Sequence, residues 1–227
     1  MENLSPVTSV VFLLTVMVSI WLFWKAAGYA KMTVFILLIW AIIQSLLSLS
    51  GFYTHWEVIP PRFIFLVGPA FLLIAGLFFT KNGRAFIDSF DLQTLTILHT
   101  IRIPVEIVLF QLFTAKLIPQ SMTFEGSNFD IVSGITAPIV YYLFFIVKKV
   151  NSRVLLIWNI VCLGLLINIV TIAILSAKTP LQQWAFDQPN IGVAYFPFSL
   201  LPGLVVPIVL CAHLIAIRRL VQGDKQP

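Results

Sequence analysis

Seven apolar runs, each long enough to cross a bilayer, constrain this chain of 227 residues more than any motif in it. A hydrocarbon core needs about 20 apolar residues at 1.5 Å each. Runs of that kind fall at roughly 7–24, 32–52, 63–80, 92–113, 131–147, 154–177 and 199–220. Backbone amides in lipid must be satisfied within their own segment, so helices are the expected solution. The expected fold class is all-α, a polytopic integral membrane protein with seven transmembrane helices in a single domain over residues 1–227. A soluble alternative fails on composition, because only 10% of residues are charged and the mean hydropathy is +1.00, against roughly 25% charged in soluble domains.

The first run is read as a retained span and not as a signal peptide. It lacks a basic n-region, carrying only Glu2, and it exceeds the roughly 7 to 15 residues of an h-region. The sequon Asn3-Leu4-Ser5 is too short a pattern to assign an origin.

Basic residues give the orientation. Lys25, Lys31, Lys81, Arg84, Lys148, Lys149, Arg153, Arg218, Arg219 and Lys225 fall on one side; Arg62, Lys116 and Lys178 fall on the other. Positive charge marks the cytoplasmic side, so the N-terminus is expected outside and the C-terminus inside. The formal charge of +5 is then a topology signal, and nucleic acid is not an expected partner. Membrane lipids are, and a plasma membrane, with a bacterial inner membrane as one case, is the expected location. The inner loops, "KAAGYAK", "KNGRAFIDSFD" and "KKVNSR", need only an anchoring role. The outer connections, "YTHWEVIPPR", "AKLIPQSMTFEGSNFD" and "AKTPLQQWAFDQPNIGVAYFPF", are longer and aromatic, and loops of the last kind often act as lids or binding loops.

The segment "HTIRIPVE", residues 99–106, breaks the fourth apolar run. At about 100° per residue, His99, Arg102 and Glu106 share an arc of about 60°. A charge at the bilayer centre costs roughly 2.5 to 3.5 kcal/mol on insertion scales, so the stripe should face the bundle interior. Arg102 and Glu106, four apart, are placed to pair along the helix. Pro104 withholds an amide from the Thr100 carbonyl, and a local kink is expected. By depth, Asn168 should lie near Glu106, while Asn159 and His213 should form a second polar layer with His99. Gln44, Ser48, Ser133 and Thr136 are expected to add contacts nearer the outside. Glu125 and Asp187, on the outer loops, complete the candidate ligand-binding set of His99, Arg102, Glu106, Asn168, Glu125 and Asp187.

Other chemistries find no support in the spacing. His55, Glu57, Glu125, Asp130 and Asp187 follow no metal-ligand pattern, and an N-cap role is enough for Asp130 in "SNFDIV". No metal and no cofactor are expected. Cys162 and Cys211 sit inside apolar runs, where a thiol is normally an inert small hydrophobe. The last run has no lysine for a retinal Schiff base and no N-P-x-x-Y pattern, and "IVSGITAP" lacks a nucleophile elbow. Pro202 and Pro207 should bend it. The expected function is binding or transport of a small anionic or amphipathic ligand through a polar cavity that opens outward. Arg102 would be the anion anchor, and Glu106 a counter-charge or proton carrier. The alternatives are a membrane-embedded enzyme using Glu106 or His99 on a lipid-like substrate, with catalytic residues unassigned, and a structural subunit of a membrane complex.

Overall fold

The computed structural model describes residues 4–56 and 58–223, so Asn3, Glu57 and Lys225 lie outside the described residues. Among the described residues the chain is helical, with one isolated bridge between Ala177 and Asn190 and no strand. Helices α1 (Pro6–Ala26), α2 (Lys31–Leu49) and α3 (Ile64–Phe79) precede a short α4 (Lys81–Asp88). The fourth apolar run forms α5 (Leu92–Leu98) and α6 (Arg102–Thr114), joined by a 3-10 turn at His99–Ile101. Then come α7 (Ile131–Tyr141), which widens into a π turn at Tyr142–Ile146, α8 (Ser152–Leu175), and a π turn at Leu201–Val205 that leads into α9 (Val206–Val221).

Local chemistry explains the boundaries. Ser5 caps α1 by accepting from the Val7 amide, with Pro6 at the first position, where its missing amide costs nothing. Asp91 takes the Gln93 and Thr94 amides at the start of α5, and Asn151 takes that of Val154 at the start of α8. Just before Pro104 the helix tightens into the 3-10 turn carrying His99. Pro207 likewise cannot donate to the Gly203 carbonyl; Trp40 Nε1 of α2 supplies that donor instead, at 2.7 Å.

Five stretches, Pro6–Ala26, Lys31–Leu49, Leu92–Thr114, Ser152–Leu175 and Leu201–Val221, are long and apolar enough to cross a membrane, and the count is six if α3 with α4 is one broken span. The run 63–80 departs from the expectation of a simple span followed by an anchoring loop. Thr80 ends α3 and caps α4, which leaves at 92°. Gly83 permits the tight corner, since a Cβ there would lie 2.6 Å from Leu77 Cα.

The segments nearest the centre are α1, α5, α6 and α9, with α8 and α9 packed along one another and α5 against α1, α7 and α9. Their core includes Phe12, Leu95, Leu98, Leu109, Phe198 and Ile215, all 0–3% exposed. The exterior is also apolar. Phe35, Leu38, Ile42 and Leu46 of α2 are all exposed, a pattern that a water-soluble surface avoids over such an area.

Candidate functional site

Arg102 is the largest of the fully buried side chains. It stands at the first position of α6, and α7 brings it a partner. Gly134 makes that approach possible, because a Cβ there would lie 2.9 Å from Ile103 Cγ1 and 3.3 Å from Arg102 Cβ. One turn before Gly134, Asp130 accepts a hydrogen bond from Arg102 Nη1 at 2.6 Å. The same nitrogen lies 3.4 Å from the Cys162 carbonyl, and Nη2 is 3.0 Å from His213 Nε2.

These contacts fix the state of His213. A guanidinium only donates, so His213 Nε2 accepts and carries no proton. Its Nδ1 therefore donates to Asn159 Oδ1 at 2.9 Å, and Asn159 Nδ2 donates to the Leu155 carbonyl at 2.9 Å. His213 is thereby a neutral Nδ1–H tautomer. His99 stacks on its ring, with centroids 3.8 Å apart and planes 12° apart, and meets Trp158 edge-on. Trp158 Nε1 in turn donates to Thr136.

Glu106 belongs to a second group, one turn further along α6. Its Oε1 accepts from Asn128 Nδ2 at 2.7 Å, and that nitrogen also reaches the Met122 carbonyl at 3.0 Å. Asn128 Oδ1 accepts from the Asp130 amide, which joins the two groups through the 120–130 loop. Gly126 allows the loop its shape, since a Cβ there would meet the Gln120 carbonyl and approach Ser121 Cα to 2.7 Å. The buried polar atoms without a hydrogen-bond partner include, along this segment, Glu106 Oε2, Arg102 Nε, Thr100 Oγ1 and both ring nitrogens of His99.

Several sequence expectations take a different form here. Arg102 does not pair with Glu106; its ion-pair partner is Asp130. Asp130 is the N-cap residue of α7 but makes no capping side-chain hydrogen bond, because its carboxylate is turned toward Arg102. His99, Asn159 and His213 do come together, on three different segments. Asn168 is exposed and donates to the Ser127 carbonyl at 2.8 Å, so it meets Glu106 only through the Ser127–Asn128 backbone. Glu125 and Asp187 are exposed. Gln44 and Ser48 are buried but serve elsewhere: Gln44 accepts from the Tyr53 hydroxyl at 2.5 Å and Ser48 donates to Ala194 O. Burial pushes the Tyr53 phenol up to about 12, against a smaller opposing effect of its bond to Gln44. Asn128 was not a sequence candidate. Its only signal is its place two residues before Asp130, and nothing in that spacing says that it turns toward α6.

Beside the loop lies a groove of about 650 Å³, lined by Phe113, Gln120, Asn168, Trp184, Asp187 and Gln188 among others. The stripe residues do not line it. Among the described residues no three His, Cys, Asp or Glu side chains are grouped to hold a metal ion.

Fold and site together define an all-helical protein with several helices apolar enough for a membrane and an ion pair sealed at its centre. The chain belongs to the family described as domain of unknown function (DUF8737), whose model matches residues 59–221. That span holds every residue of the buried seam and the groove, while α1 and α2 precede it. None of the curated proteins and none of the solved structures matches the chain.

Proposed function

We propose that the chain is a seven-span integral membrane protein with its N-terminus outside and its C-terminus inside, and that it binds or transports a small amphipathic ligand. The apolar exterior and the ten-to-three split of basic residues support the topology. The short α7 with its π turn, and α3, with α4 turning off on the inner side, are the sixth and seventh crossings in this reading. One observation carries the function: two titratable side chains, Glu106 through Oε2 and His99 through both ring nitrogens, are buried with unpartnered atoms on either side of the Arg102–Asp130 ion pair, whose Arg102 Nε is unpartnered as well. Buried polar groups without partners are rare and costly, and titratable ones within a membrane mark ligand or proton paths. Arg102, held by Asp130, His213 and the Cys162 carbonyl, is poorly placed as an anion anchor. The reading therefore moves from an anionic to an amphipathic ligand, with Glu106 as proton carrier.

The test is native mass spectrometry of wild-type and Glu106→Gln proteins in mild detergent. Gln at this position keeps an acceptor for Asn128, so folding is retained. A defined bound mass in the wild type that is lost in the variant is the expected result. Ligand-free spectra from two equally stable proteins would instead favour a structural subunit, a role for which the buried Arg102–Asp130 pair is suited.

A further inference from the structure

We propose that the groove between the 120–128 loop and the Trp184–Gln188 turn recognises a small organic cation, an amine or quaternary ammonium carrying an apolar group. The argument rests on which polar atoms the groove leaves available. Asp187 is the one charged side chain among the described residues lining it. Asn168 spends its Nδ2 on the Ser127 carbonyl, and Gln188 spends its Nε2 on the Phe113 and Ile118 carbonyls at 3.1 and 2.6 Å. The Asn168 and Gln188 amide donors are thus committed to backbone, while Asn168 Oδ1 and the Asp187 carboxylate remain as acceptors beside the neutral Gln120, Ser121 and Ser127. Trp184 and Phe113 add aromatic surface, and a tryptophan face attracts a cation most strongly of the aromatic side chains. A carboxylate and an indole face, with no lysine or arginine among the described lining residues, suit a positive ligand and disfavour a negative one.

The turn is built to present these groups. The Gln183 and Trp184 amides both donate to Leu175 O, and Gln182 Nε2 holds the Trp184 and Ala185 carbonyls. Ala185, which lines the groove, is left-handed with φ 57°; a non-glycine residue keeps that conformation only where its surroundings impose it. The opposite wall includes Ser127, next to Asn128, which holds Glu106. Communication with Glu106 therefore rests on the functional reading above, whereas the groove's preference for charge does not.

The experiment is calorimetric titration of the protein in phosphatidylglycerol nanodiscs. The probes are choline, its uncharged isostere with a tert-butyl group, propionate and, separately, dihexanoyl phosphatidylcholine. Choline is expected to bind about tenfold or more tighter than the isostere, and Asp187→Asn and Trp184→Ala each to remove that advantage. Both side chains are exposed, so equal thermal stability of the variants is expected and is checked. Tighter binding of the short-chain lipid than of choline identifies a lipid headgroup as the source of the cation, and the reverse identifies a free solute; both uphold the class. Equal binding of the isostere, preference for propionate, binding of none, or choline binding unchanged by both substitutions overturns it. Choline binding by Glu106→Gln is expected to persist. If the native-spectrometry test fails while choline still binds, the functional reading falls and the cation site stands.

Discussion

Removing the Asp130 carboxylate is the sharpest probe of how this bundle tolerates Arg102. The guanidinium is 2% exposed and the Asp130 side chain 8%, so Asp130→Ala leaves a buried charge with only neutral acceptors. Breaking a buried pair from one side costs about 3–5 kcal/mol. For a chain of this size each kcal/mol shifts Tm by about 2–4 °C, which gives a fall of about 6–20 °C. A thiol-reactive fluorophore reads the transition, because Cys162 and Cys211 are both free and buried and react only on unfolding. The double variant Arg102→Met/Asp130→Leu should recover most of the loss, since removing both charges removes the desolvation cost along with the attraction. Glu106→Gln should shift Tm by about 1–6 °C, corresponding to the usual size of about 0.5–1.5 kcal/mol for a neutral hydrogen-bond change. A larger fall for Glu106→Gln than for Asp130→Ala would refute the assignment and return Glu106 to the role of counter-charge.

Gly134→Ala places a methyl 2.9 Å from Ile103 Cγ1 and should destabilise by about 1–3 kcal/mol through overpacking, measured in the same thermal assay. Trp40→Phe leaves the Gly203 carbonyl without the indole donor and should cost about 1–3 kcal/mol, with faster hydrogen exchange over residues 203–208. Asp88 receives a two-point hydrogen bond from Arg218, at 2.8 and 3.0 Å, and that guanidinium holds its carboxyl below the usual range. The folded pKa is the lower one, so the contribution is present above the unfolded value and disappears as pH falls through the folded value. Thermal stability of Asp88→Asn should therefore lack part of the acid-side decline seen in the wild type. A parallel decline in both proteins would count against the pair.

Most of the long apolar helices, the buried stripe and the meeting of the two histidines were legible because length and helical period are properties of a single segment. Seven runs of apolar residues and the arc shared by His99, Arg102 and Glu106 need no knowledge of neighbours. The same one-dimensional reasoning located Asn159 and His213 at the depth of His99, where stacking and hydrogen bonding join them. Proline positions were informative in the same way: Pro104 and Pro207 each coincide with a local irregularity of the helix.

Partner choice was another matter. In sequence the nearest countercharge to Arg102 is Glu106, four residues on, and Asp130 looks like an ordinary cap. The arrangement is reversed because Gly134 lets α7 approach Arg102 closely enough for Asp130 to reach it at 2.6 Å, while Asn128 turns in from the loop to take Glu106. Such choices depend on azimuth and on the distance between helices, quantities that no single segment contains. The right-angled turn into α4 and the placing of Asn168 and Asp187 in one groove belong to the same category. The amino-acid sequence by itself determined that this chain forms apolar helices with a polar stripe turned inward, since burial of charge and backbone satisfaction are enforced residue by residue. Only the tertiary structure decided which charges meet, because electrostatic pairing in a low-dielectric interior goes to the group that packing brings within hydrogen-bond distance.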